Sequence, residues 1–359
     1  MNSDHKAFYF TQKNFLNYTL LFLFTFGLIW LIRFERLNSP HALIVPKKET
    51  AAVYLSEHTS FEGLFEALDE AGVRYDRQEL EWAGRILGWR NYRAGRYEIY
   101  KMSTYDAFLS ELTLGHQDPL NITILPGTTR EWIASRLGTK LKADSADFAK
   151  VLRDKEFLNK HRLDTNTFFG RILPETYKVF WSTSPESFYE RVLNEFDRII
   201  IQEHQSRIQE LRFNIDEIVT LASIIEWEAK VDSEKKRISG LYWNRLNRRM
   251  ALQADPTVVY ALGERRRLTY DDYRIDHPFN TYNYRGLPPG PITNPSQSSI
   301  EAALYPEDHN YLYMVAQPGE DGLHSFSRTY SQHQQKSRQW QRWIREQYRL
   351  KRLREQNGK

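Results

Sequence analysis

The stretch of this 359-residue chain best suited to chemistry is Leu221–Ala229, an apolar run that carries two carboxylates, Glu226 and Glu228. Asn214, with Glu217 three residues on, predicts a helix N-cap and capping box ahead of it. Ile218, Leu221, Ala222 and Ile225 then recur at spacings of three and four and form an apolar stripe. Glu226 follows Ala222 by four residues, so it lies at the rim of that stripe. A half-buried carboxyl there must be paired, hydrogen-bonded or protonated. A raised pKa would suit a general acid working near neutral pH. The plainer reading is a Glu that solvates a helix edge or pairs with a nearby Arg. Glu228 is rotated from Glu226 by about 200°, which predicts a different side of the helix and a supporting role, paired with Arg237 or Arg245. Asp255 is the other candidate carboxylate, and an N-cap role before Pro256 would account for it without catalysis.

The chain has no phosphate loop, dinucleotide fingerprint or EF-hand loop. It also lacks a zinc-type His pair, so neither a cofactor nor a metal is expected. Ser223 is not in a Gly-x-Ser-x-Gly elbow, which argues against serine hydrolysis. What remains is the loop Asn280–Thr281–Tyr282–Asn283–Tyr284–Arg285–Gly286–Leu287–Pro288–Pro289–Gly290–Pro291, too rich in Pro and Gly for a strand or helix. Its amides and hydroxyls suit sugar hydroxyls and N-acetyl groups, and acid catalysis at a glycosidic oxygen needs a carboxylic acid.

These residues must be positioned by the rest of the chain. A hydrophobic content of 41% supports real cores, and a net charge of +4 with no dense basic block before the C-terminus argues against nucleic acid as a partner. There are no cysteines, so disulfides and thiolate metal sites are excluded. After a polar tail (1–14), Phe15–Ile32 is almost wholly apolar and just long enough to span a membrane. Arg33–Arg36 follows where a signal peptide would carry small residues, so 15–33 is expected to be an uncleaved anchor. Lys6 and Lys13 precede it and Arg33, Arg36, Lys47 and Lys48 follow, which leaves orientation open.

Residues 34–50 are expected to be a linker. Two units of strand, turn and amphipathic helix follow, at about 51–118 and 119–205. A mostly helical domain spans 206–335 and includes a helix from about Ser233 to Arg249, short helices from Asp255 and from the Asn294–Gln297 cap signal, and strands at Tyr311–Ala316 and Leu323–Phe326. Residues 336–359 form a basic tail whose expected form is a solvated helix. The expected fold class is α+β.

Read together, Leu221–Ala229, Asn244–Leu246, Leu252–Tyr260, Asn280–Tyr282, Gly286–Ile292, Asn294–Pro295, Tyr311–Tyr313 and His324–Phe326 resemble the YceG-like endolytic murein transglycosylases, over about residues 50–335. The strand–turn–helix units likewise resemble LysM-type glycan-binding modules. The resemblance implies that Glu226 is catalytic in a lytic reaction. Glu226 would protonate the oxygen between N-acetylmuramic acid and N-acetylglucosamine, then take the proton of the muramic C6 hydroxyl as it attacks C1. A 1,6-anhydro end results, and one carboxylate serves twice. Glu228, Asn244, Gln253, Asp255, Thr257, Tyr260, Asn280, Thr281, Tyr282, Asn294 and His324 are candidates for binding the sugar or supporting Glu226.

Trp227 stands where Lys is common in the family and Ala254 where Thr is common. The implied setting is the bacterial inner membrane, crossed once, with the catalytic domain on the periplasmic side. The implied partners are nascent peptidoglycan strands, whose elongation it would terminate, and the synthases that extend them. A hydrolytic muramidase using Glu226 and Asp255, and a non-enzymatic wall-binding scaffold, are the competing readings.

Overall fold

A computed structural model describes residues 3–40, 42–46, 49–100, 103–319 and 322–357. It is a mixed α+β structure of helices and short paired strands, in two compact units.

The first unit holds residues 1–120 and 180–182. It opens with α1 (Ser3–Leu37), whose segment Asn14–Leu37 has a mean hydropathy of 2.0; its apolar stretch is unburied, and Arg36 and Leu37 at its end meet Trp82 and the core. That segment is long and apolar enough to cross a membrane. The helix begins at Ser3, so most of the expected polar tail is helical; Met1 and Asn2 lie outside the described residues.

The expected linker holds a short strand, β1 (Leu43–Ile44), which pairs antiparallel with β3 (Arg74–Tyr75) and buries Leu43 completely. Lys47 and Lys48, part of the flanking-charge count, also lie outside the described residues. Between β2 (Thr50–Leu55) and its antiparallel partner β4 (Gly95–Tyr100) the chain forms α2 (Phe61–Glu70) and α3 (Arg77–Leu87). Alternate residues of β2 and β4, including Val53, Leu55, Tyr97 and Ile99, turn onto one core with Leu64, Leu68 and Leu80. Helix α4 (Tyr105–Leu114), capped by Thr104, closes it.

The second unit holds residues 121–179 and 183–359. Its first part runs through β5 (Leu120–Thr123), α5 (Arg130–Gly138), α6 (Ser145–Val151), α7 (Lys155–Lys160), α8 (Thr165–Gly170) and β6 (Thr176–Val179), with β5 beside β6. Ser184 caps α9 (Pro185–Phe196), and α10 (Gln205–Glu210) follows after a π turn.

The site is carried by the next four helices: α11 (Ile215–Glu228), α12 (Asp232–Asn247), α13 (Asp255–Leu262) and α14 (Gln297–Leu304). The Asn214–Glu217 capping box forms in both directions, at 2.8 and 2.9 Å. Ile218, Leu221, Ala222 and Ile225 are buried, and α11 packs on α12 and α14. Fully burying each Leu or Ile there contributes about 2 kcal/mol. A hairpin of β7 (Tyr313–Ala316) and β8 (His324–Ser327), then α15 (Tyr330–Asn357), complete the unit.

Candidate active site

Glu226 stands in the last turn of α11, its side chain 12% exposed. Its Oε2 accepts hydrogen bonds from the Ser296 N–H (2.9 Å), the Ser296 hydroxyl and the Ser299 hydroxyl (2.7 Å). The buried Lys235 ammonium lies 3.5 Å from the same oxygen. Among the described residues none donates to Oε1. Burial pushes the carboxyl up, but these donors and Lys235 together outweigh it and hold Glu226 below the usual carboxylate value.

This arrangement follows from local sequence. The short helix α14 starts at Gln297 because Ser296 accepts from the Ser299 N–H as its cap. The expected cap signal at Asn294–Pro295 is therefore displaced by two residues. Asn294 instead accepts from the Thr128 N–H (3.0 Å) and donates to the Leu125 carbonyl (3.0 Å).

Glu228 has a different environment. Its Oε1 accepts from the Tyr242 hydroxyl at 3.1 Å. The expected ion pair with Arg237 does not form, since Arg237 reaches Glu307 at 3.0 Å. Arg245 spends its donors on the carbonyls of Leu312 (2.6 Å), Leu252 (2.8 Å) and Ala251 (3.2 Å) and on Gln253 Oε1 (3.2 Å). Arg245 therefore acts on Glu228 only through its field. Protein atoms crowd the Glu228 carboxyl, and burial together with the Asp255 charge pushes it up to about 7, against the Tyr242 bond and Arg245. The raised pKa expected at Glu226 is thus found at Glu228.

Asp255 is not an N-cap. The capping position of α13 is Ala254, with no side-chain bond. The Asp255 carboxylate accepts instead from the hydroxyls of Tyr282 and Tyr273 (3.2 Å), and both phenols are pushed up, by burial first and then by Asp255. Pro256 fixes the first turn without needing a side-chain cap.

Glu226, Glu228 and Asp255 line one open cavity of about 610 Å³ with Pro126, Gly127, Trp227, Pro256, Val259, Arg265 and Arg266. Glu226 and Glu228 are thus held by different partners but face common space. One wall is a stack, with the Arg265 guanidinium 4.2 Å from the Trp227 ring centre and donating to the Gly127 carbonyl at 3.0 Å. Gly127 has φ +71°, and a Cβ there would meet Trp227 at 3.4 Å. Glu228 and Asp255 also line a second cavity of about 350 Å³, with Gln253, Tyr282 and His324.

The other candidates hold the frame. Gln253 sits at φ +50° and its N–H donates to the Thr281 carbonyl (3.1 Å). Thr257 and Thr281 share a buried hydroxyl pair at 2.9 Å, and Thr281 also accepts from the Ala254 N–H (3.0 Å). Asn280, wholly buried, donates to the carbonyls of Tyr273 and Ile275 and so clamps the loop around it. Tyr260 packs on Phe279. Asn244 donates to the carbonyls of His309 (2.6 Å) and Tyr311 (3.1 Å) and lines a separate cavity with Trp243. His324 pairs with Glu234 at 2.8 Å.

Sequence reasoning passed over Lys235, Ser299, Tyr273 and Glu234, and gave Ser296 and Tyr242 no part in the site. Lys235 was the most findable, three residues before the inward-facing Ile238.

Residues 53–339 match the YceG-like family model. A Bacillus subtilis (strain 168) protein named endolytic murein transglycosylase is 28% identical over 305 residues, which span 80% of this chain and 83% of that one. A Streptococcus pneumoniae (serotype 2) protein of the same name is 28% identical over 302 residues, covering 75% of this chain and 54% of its own length. The crystal structure of a yceG-like protein from Listeria monocytogenes superposes with a TM-score of 0.56 at 30% identity, over 80% of this chain and 99% of that one. With the family model covering most of its length and these relatives aligned along it, the chain belongs to the YceG-like family.

Proposed function

We propose that this chain is a membrane-anchored lytic transglycosylase that cuts nascent peptidoglycan internally, at the β-1,4 bond from N-acetylmuramic acid to N-acetylglucosamine. The observation that carries the reading is the Glu226 carboxyl itself. Every contact that holds it falls on Oε2, while the residue lines the 610 Å³ cavity. That geometry fixes the group and leaves Oε1 for a glycosidic oxygen. The names of the relatives support the substrate and the reaction class.

In this reading Glu226 is first an acid and then a base. The Ser296, Ser299 and Lys235 contacts favour the carboxylate, which is the form that takes the C6 hydroxyl proton during anhydro-ring closure. The strongest single influence on the group is burial, which favours the neutral acid. A glycan filling the cavity displaces water and strengthens that influence, so substrate binding prepares the proton donor. Trp227 under Arg265 offers a flat wall for a sugar face.

The antiparallel β2–β4 pair with two helices between supports a LysM-like glycan-binding role for the first unit. Helix α1 supports a single-pass anchor; in this reading the catalytic unit lies on the periplasmic side, beside strand-extending synthases. Product analysis is the test: purified glycan should yield 1,6-anhydro ends, and Glu226→Gln should abolish them while the circular dichroism spectrum is kept.

One observation favours a second reading. Burial and the Asp255 charge push the Glu228 carboxyl up to about 7, and it shares the cavity with Glu226 and Asp255. Carboxyl groups driven apart in pKa suit an acid–base pair, as in hydrolysis. A muramidase of that kind would add one water to each product, which mass spectrometry separates from the anhydro end.

A further inference from the structure

Helix α15 packs on β7 and β8 only near its start, where Lys336 donates to the Phe326 carbonyl (2.6 Å) and His333 stacks on Tyr313. Beyond that the helix carries two opposed stripes. Arg338, Arg342, Arg345, Arg349 and Arg352 recur at steps of four and three and are all exposed. They form one line about 21 Å long. Trp340, Trp343, Ile344, Gln347 and Leu350 line the opposite side, with the two indoles stacked at 5.0 Å.

From Arg338 to the helix end there are seven basic residues and two acidic ones, Glu346 and Glu355. That surplus of five exceeds the +4 of the whole chain, so the remainder is close to neutral. The two acids pair with Arg349 and Lys351. Among the described residues no acid pairs with Arg338, Arg342, Arg345 or Arg352. The family match ends at residue 339, so all of the stripe residues but Arg338 lie beyond it.

We propose that residues 338–354 of α15 are a second membrane contact, lying along the surface of an anionic phospholipid bilayer with the Trp stripe in the headgroup layer and the arginines reaching lipid phosphates. Through Leu350 the composition is that of an interfacial helix, with aromatic and aliphatic residues on one face and cations on the other, and past it Lys351 and Arg354 fall on the apolar side. A 28-residue helix of this kind is not apolar enough to span a bilayer, whereas α1 is. One chain thus carries a helix long and apolar enough to span and a second of interfacial composition. The contact does not depend on the chemistry at Glu226.

The absence of cysteine gives a direct test. The full chain would carry a nitroxide at Gln347→Cys on the apolar stripe, or at Gln341→Cys as control, in phosphatidylcholine vesicles with or without phosphatidylglycerol. Label 347 should be immersed in lipid only with phosphatidylglycerol, and lose that signal at about 1 M salt, where the screening length is about 3 Å. Label 341 should stay aqueous throughout.

Replacing Arg342, Arg345 and Arg349 with Gln should lower the inserted-to-free ratio roughly a hundredfold, at about fivefold per basic residue. An aqueous signal at 347 in the anionic vesicles would overturn the proposal. So would spin–spin broadening that grows with protein-to-lipid ratio, which would assign the stripe to a second copy of the chain.

Discussion

The surroundings of Glu226 and Glu228, two residues apart on one helix, differ in kind. Both carboxyls are substantially enclosed and both meet hydroxyl groups. Glu226 meets three donors on one oxygen and a buried ammonium, and ends below the ordinary carboxylate value. Glu228 meets one phenol and a neighbouring negative charge, and ends near 7. Burial alone therefore does not decide whether a carboxyl is an acid or an anion. The number of donors and the sign of the nearest charge do.

The hardest test of that contrast is Glu226→Gln. If Glu226 is the proton-transferring group, turnover should fall by about 10²–10⁴, measured as anhydro ends released per enzyme. Glu228→Gln should leave a much larger residue of activity. A result with the two reversed would transfer the acid role to Glu228.

The second test reads stability. A carboxyl whose folded pKa is about 7, against an ordinary 4.5, makes the native state lose stability as pH rises between those values. The loss amounts to about 3 kcal/mol at most. Urea midpoints of the detergent-solubilised chain at pH 4 and pH 8 should show it, and Glu228→Gln should flatten the difference.

Glu226 has the opposite sign. Its lowered pKa contributes stability above the unfolded value, lost as pH falls through the folded one. Because Glu226 must first act as the protonated acid, Lys235→Met should move the alkaline limb of the pH–rate profile upward, since the nearest cation is removed. An unmoved limb would show that the serine donors alone set the group.

Ser299→Ala should cost about 1 kcal/mol and move the same limb in the same direction. The smallest effect belongs to Arg237→Met. Its pair with Glu307 is more than a third exposed on both sides, so stability should change by less than about 1 kcal/mol.

Much of the scaffold was legible in the chain because its signals are local. The Asn214–Glu217 box, the α11 stripe, Ser184 before Pro185 and the apolar N-terminal run each need only a few neighbouring residues to be read. The site was less legible because its partners are distant in sequence. Ser296 reaches Glu226 across seventy positions, and Tyr282 reaches Asp255 across twenty-seven. The Asp255 and Asn294 cap expectations failed for the same reason. A side chain that matches a cap pattern locally instead accepts from a donor distant in sequence.

Ser296 shows what such double use entails. Its hydroxyl accepts from the Ser299 N–H at the start of α14 and donates to Glu226. Asp and Asn are as good as Ser at starting a helix, yet neither serves here. Asp is an anion facing an anion, and Asn has to split the two tasks between a carbonyl oxygen at the cap and an amide NH2 on Glu226, where Ser uses one atom for both. Substitutions that leave α14 intact should therefore divide sharply, with Thr tolerated and Asp inactivating. A screen for folding alone would pass both.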